Sequence, residues 1–75
     1  VMIEPRDKSK AAYILEFKVH NPKRESSLDE TVKNALKQIE EKQYKTELIA
    51  RGYKEEQIRK YGFAFAGKEV LIGEE

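Results

Sequence analysis

Residues 13–19 read Tyr-Ile-Leu-Glu-Phe-Lys-Val. Side chains alternate across a strand, so Tyr13, Leu15, Phe17 and Val19 make a continuous apolar row on one face. Glu16 and Lys18 share the other face. Placing a carboxylate and an ammonium side by side on a half-buried strand costs desolvation energy. Such a cost is carried where chemistry uses the charges, because metal sites need carboxylates and anionic substrates need cations. The plainer reading of the same two residues is a surface ion pair, which is worth little when exposed.

Outward from this strand, Val1 to Pro5 reads as a short strand closed by proline. Arg6 to Lys10 is polar and turn-like, so Val1–Pro5 and Ala12–Val19 are expected to form an antiparallel hairpin. Folding it about residues 7–10 sets Val1 opposite Glu16. Asn21 to Ser27 is a loop. Ser27 with Glu30 forms a capping box, and Leu28, Val32, Ala35, Leu36 and Ile39 recur at helical spacing. That helix is expected to run to about Lys42 or Tyr44. Thr46 to Arg51 adds a further helical turn or two before Gly52. A short helical turn is predicted over Lys54–Lys60, with acidic residues early and basic ones late. Tyr61 to Ala66 alternates aromatic and small residues, with Phe63 and Phe65 together on a core face. Gly67-Lys68 makes a turn, and Glu69 to Ile72 returns. The order β-β-α-(α)-β-β predicts an α+β fold, a small mixed sheet with a helix packed on one face.

A chain of 75 residues supports one small domain, residues 1–75. There is no cysteine, which fits a reducing compartment and a cytoplasmic setting. Fifteen Lys and Arg stand against fourteen Asp and Glu, interspersed, so charge alone does not announce nucleic acid. No stretch is long or apolar enough to span a membrane. Val1, Met2 and Ile3 start in the middle of a strand pattern, and the expectation is a fragment of a longer protein.

Four positions are candidates for chemistry: Glu16 and Lys18 on the second strand, Gln38 on the helix flank, and Tyr44 at the end of that helix. A second carboxylate opposite Glu16 would complete a divalent-metal site, since hard cations take oxygen ligands and keep several waters. Lys18 could orient a water or stabilise charge building on a phosphate. His20, just past the strand, reads as a loop residue rather than a general base. Asn21-Pro-Lys-Arg24 reads as a solvated loop, and Lys68 as a turn residue.

Glu16-Phe17-Lys18, preceded by an apolar strand and followed by a Gln-bearing helix, resembles the PD-(D/E)XK nuclease superfamily. More closely, Tyr13–Val19, Ala35-Leu-Lys-Gln-Ile-Glu-Glu-Lys-Gln-Tyr44 and Tyr61-Gly-Phe-Ala-Phe-Ala-Gly-Lys68 resemble a nuclease-like domain at the C-terminus of bacterial proteins whose N-terminal part is AAA-ATPase-like. The resemblance implies a truncated restriction-endonuclease-like core. It implies Glu16 as a metal ligand, the Phe17 carbonyl as a backbone ligand and Lys18 as the catalytic lysine. Gln38 and Tyr44 resemble the extra Gln and Tyr of the RecB-like branch, although the Gln-to-Tyr spacing is longer here. The first-motif aspartate would fall just before Val1, and Glu4 and Asp7 are poor replacements. The helix that usually precedes the first strand is also missing from residues 1–75. The implied function is Mg²⁺-dependent hydrolysis of nucleic acid, DNA ahead of RNA, with the isolated fragment inactive. The alternative is a non-catalytic module for nucleic-acid or protein binding beside the AAA-ATPase-like domain. Apolar surface left open by the missing helix implies a homodimer.

Overall fold

All residues 1–75 are described by a computed structural model. Period-2 alternation places a strand at Ala12–Val19 (β2), and burial alternates with it. Ala12, Ile14 and Glu16 are buried, whereas Tyr13, Phe17 and Val19 are exposed. The apolar row of β2 therefore faces outward, and the row bearing Glu16 and Lys18 faces the helical layer.

Met2–Ile3 (β1) pairs antiparallel with β2. Val1 sits opposite Leu15, exchanging hydrogen bonds of 2.7 and 2.8 Å with it, one residue short of the expected partner Glu16. Two helices, Leu28–Glu41 (α1) and Tyr44–Ala50 (α2), separate the hairpin from Ile58–Ala66 (β3) and Glu69–Glu74 (β4). The sheet order is β1-β2-β3-β4, with β2 and β3 parallel and the outer pairs antiparallel. A parallel pair cannot be joined by a tight turn, and the crossover here is the helical layer. This is the predicted β-β-α-α-β-β order in an α+β, restriction-endonuclease-like arrangement.

Ser27 caps α1 by accepting the Glu30 N–H at 3.3 Å. The Glu30 carboxylate reaches one residue further back than a simple capping box, taking the Ser26 N–H at 2.9 Å. Gln43 adopts a left-handed conformation, φ 57°, and this ends α1. Tyr44 consequently begins α2 rather than ending α1. Ile39 from α1 and Leu48 from α2 meet Ala12, Ile14 and Tyr53 in the central core, with Met2, Leu36, Tyr44 and Ile58 around it.

The helical turn expected over Lys54–Lys60 is confined to a 3₁₀ turn at Glu55–Gln57, and the strand starts at Ile58. Gln57 is the reason. Its side-chain oxygen takes the Lys54 N–H, and its amide nitrogen donates to the carbonyls of Lys8 and Lys10. That pins the turn against the end of the hairpin loop, and Ile58 pairs with Ala12 at once.

α1 lies close over β3 and β4 because the sheet offers glycine there. A Cβ on Gly62 would stand 3.1 Å from the Val32 carbonyl oxygen, and one on Gly73 would stand 2.3 Å from Val32 Cγ1. No helix covers the opposite face. Phe17 is tilted against Phe63 at 4.9 Å between centroids, and Tyr13 stacks near Tyr61 at 6.3 Å. Val19, Phe65, Val70 and Ile72 are exposed around them. Phe63 and Phe65 are thus not core: Phe63 is half-buried and Phe65 exposed, because they lie on the uncovered side.

Candidate functional site

Even-numbered residues of β2 bond to β3 and turn their side chains toward α1. The ladder runs one residue beyond the strand, with the His20 N–H donating to the Phe65 carbonyl at 2.7 Å. Glu16, Lys18 and His20 therefore form one row under the helical layer. Small residues stand beside them, since Glu16 pairs with Gly62 and Lys18 with Ala64.

Glu16 is only 8% exposed. Its Oε1 accepts from Lys42 Nζ at 3.0 Å, where the last carbonyls of α1 also favour a cation. The hydrogen bond to Glu16 raises the Lys42 pKa above its ordinary value, against the effect of desolvation. Lys18 forms no ion pair, so the side-by-side Glu16–Lys18 pair of the plainer reading is absent. Lys18 is a half-buried residue, and no carboxylate lies within ion-pair distance of its ammonium.

The helix register locates Gln38. Thr31 touches His20 at one end of α1, and Lys42 touches Glu16 at the other. Those helix positions lie about 16 Å apart at ~1.5 Å per residue, and Glu16 and His20 lie about 13 Å apart at ~3.3 Å per residue. The helix runs antiparallel to β2, and half-buried Gln38 falls between the two contacts, over the stretch from Glu16 to Lys18. Tyr44 packs on the core instead, and its ring reaches this region only through Lys42 Nζ, 5.9 Å from the ring centroid.

Odd-numbered residues of β2 point their backbone groups toward β1. Leu15 uses both on Val1, and the next such residue, Phe17, has no neighbouring strand residue to bond. Glu4 and Asp7 are engaged elsewhere, Glu4 with Arg51 and Asp7 with Ser9. The Glu16 carboxylate and Phe17 carbonyl are hard oxygen donors of the kind Mg²⁺ takes, usually one or two carboxylates with waters and substrate phosphate completing the shell. Glu16 already holds one cation, the Lys42 ammonium. Nowhere do three His, Cys, Asp or Glu side chains converge into a ready cage. Of such a shell the chain supplies one carboxylate and one backbone carbonyl here.

Sequence reasoning missed a second cluster at the end of the row. Glu25 is 4% exposed and accepts from the Asn21 N–H at 2.8 Å, Asn34 Nδ2 at 2.7 Å and Thr31 Oγ1 at 3.0 Å. The Asn21 backbone donor chiefly, then Asn34, hold its pKa down to about 2 against desolvation, and the Thr31 hydrogen bond and the Lys18 charge add to this. His20 Nδ1 lies 2.7 Å from Thr31 Oγ1, so this residue just past the strand is tied to α1 by its side chain. One signal was legible: His20 continues the Glu16, Lys18 alternation.

A family model described as the PD-(D/E)XK nuclease superfamily matches residues 1–75. No curated protein and no solved structure matches the chain. No helix is long and apolar enough to cross a membrane.

Proposed function

The chain belongs to the PD-(D/E)XK nuclease superfamily, and from that membership we propose that it is the core of a metal-dependent phosphodiesterase acting on nucleic acid, DNA ahead of RNA. One observation carries the proposal. An ammonium without a carboxylate partner, Lys18, lies in the same row as a buried carboxylate, Glu16, under the helix segment that bears Gln38.

In this reading Glu16 and the Phe17 carbonyl would hold Mg²⁺, the cation taking the place of the Lys42 ammonium on Oε1. When bound, the ion would polarise the phosphate. Lys18 binds a non-bridging phosphate oxygen and stabilises the charge that grows there as water adds. The new bond joins the water oxygen to phosphorus, and the bond broken is from phosphorus to the leaving sugar oxygen. Gln38 orients the phosphate or its water through its amide, which both donates and accepts. Tyr44 supports Lys42 from the side.

The test is cleavage of labelled DNA and RNA by the native polypeptide with and without Mg²⁺. Cutting should require the ion, and Lys18→Ala should abolish it. Equal cutting by that variant sinks the assignment.

The near-neutral, interspersed charge favours a second reading, a non-catalytic module working beside an AAA-ATPase-like domain. Metal-free DNA binding that survives Glu16→Ala, together with pull-down of such a domain, supports that reading over the first.

A further inference from the structure

The side of the site away from Lys42 is closed by His20, Thr31 and Glu25, and their hydrogen bonds fix where the imidazole proton sits. Thr31 is fully buried and its hydroxyl carries one hydrogen. Two acceptors compete for that hydrogen, Glu25 Oε1 at 3.0 Å and the Ser27 carbonyl at 3.3 Å. Either way Oγ1 presents a lone pair to His20, so Nδ1, 2.7 Å away, is the donor. The reverse arrangement would turn hydroxyl lone pairs on a carboxylate oxygen. Neutral His20 therefore carries its proton on Nδ1 and a lone pair on Nε2.

Nε2 makes no hydrogen bond within the chain, and the Tyr53 hydroxyl is the only buried side-chain polar atom without a partner, so Nε2 reaches solvent. The ring as a whole is only 16% exposed. A half-buried imidazole, steered by a buried hydroxyl and a buried carboxylate, thus offers one accessible acceptor. It stands two residues beyond Lys18 in the same row, about 6.6 Å along the strand.

Resting on the phosphodiesterase reading above, we propose that His20 is the general base of the reaction, with Thr31 and Glu25 as positioning residues. An ammonium donates and has no lone pair to receive a proton, so Lys18 is left to bind the phosphate. As the water oxygen bonds to phosphorus, its proton passes to Nε2. The phosphorus–sugar oxygen bond breaks, and the departing oxygen takes a proton from solvent. The imidazolium that forms faces Glu25 Oε1, 3.6 Å from Nδ1. Glu30 also favours the new charge, while Lys18, whose charge acts on Glu25, stands two residues away in the same row.

Two measurements on the native polypeptide test this. Imidazole ¹⁵N shifts should show the Nδ1–H tautomer, kept in Thr31→Ser and lost in Thr31→Val. Mg²⁺-dependent hydrolysis should fall about 10²–10⁴-fold in His20→Gln, with the tenfold-per-pH-unit rise of the acid limb removed as well. Thr31→Val should lose rate that Thr31→Ser restores. An Nε2–H tautomer in the wild type overturns the proposal. So does hydrolysis by His20→Gln at the wild-type rate, which leaves the phosphodiesterase reading standing. A wild type that hydrolyses nothing overturns both.

Discussion

Gly73→Ala tests how closely α1 must approach the sheet. The new methyl would lie 2.3 Å from Val32 Cγ1 and 3.7 Å from Val32 Cβ. Carbon atoms prefer about 3.5–4.0 Å, so a displacement of at least ~1.2 Å is needed. Val32 cannot supply it by rotating, because a β-branched residue in a helix has essentially one χ1 well. α1 must lift or β4 must sag. Overpacking of this kind costs about 1–3 kcal/mol, and replacing glycine in a strand returns at most ~1 kcal/mol. The net loss is about 1–2 kcal/mol, or a Tm lowered by about 4–16 °C for a domain of this size. Val32→Ala removes the obstructing methyl at about 2 kcal/mol of lost burial. In the double variant the methyl introduced on β4 enters the space that Val32 vacates, so the two losses should fall short of their sum by about 1–2 kcal/mol. Urea titrations followed by circular dichroism, with m unchanged, measure all three. Strictly additive losses, or a Gly73→Ala chain as stable as the wild type, would refute the packing argument.

Two further outcomes follow from the site and the uncovered face. Glu25 has a folded-state pKa of about 2 against an ordinary 4.5; a depressed carboxylate stabilises above its unfolded pKa, and that contribution drains away as pH falls from 4.5 toward about 2. Glu25→Gln should flatten this part of the acid-unfolding curve, and an unchanged curve would show that Glu25 is not held as described. Phe17→Glu, on the uncovered face and away from the core, should keep the circular dichroism of the fold while shifting any homodimer toward monomer in light scattering; self-association that the variant leaves unchanged would show that this face does not mediate it.

The element order was readable because each segment carried its own local signal: alternation in Tyr13–Val19, the Ser27 cap, the stripe Val32–Ala35–Ile39 and the Gly67 turn. The break at Gln43 was not, since a left-handed glutamine is chosen by how α2 packs Leu48 into the core. Ile58–Lys60 read as helix because Gln57's hold on the carbonyls of Lys8 and Lys10 spans the sequence. Glu16 and Lys18 stood out as charges in an apolar strand, and their shared face follows from the strand period. Which face α1 would cover was not decided by hydrophobicity, as the more apolar side of the sheet is the uncovered one. The Glu25–Thr31–His20 chain was hidden for a related reason. A glutamate in a polar loop and a threonine in a first helical turn look ordinary until the loop folds back over the strand end.

The parallel alignment of β2 with β3 has a kinetic corollary. Ala12 meets Ile58, and the same offset of 46 residues holds through Val19 and Phe65. Ring closure over so long a span is entropically slow, and nothing along it is repaid until both strands and the intervening helices arrive together. The β1–β2 hairpin and α1 can form early from neighbouring residues, but Gly62 and Ala64, the floor beside Glu16 and Lys18, come last. The two charges thus stay hydrated past the rate-limiting event, and the desolvation they suffer registers in the unfolding rate more than in the speed of folding.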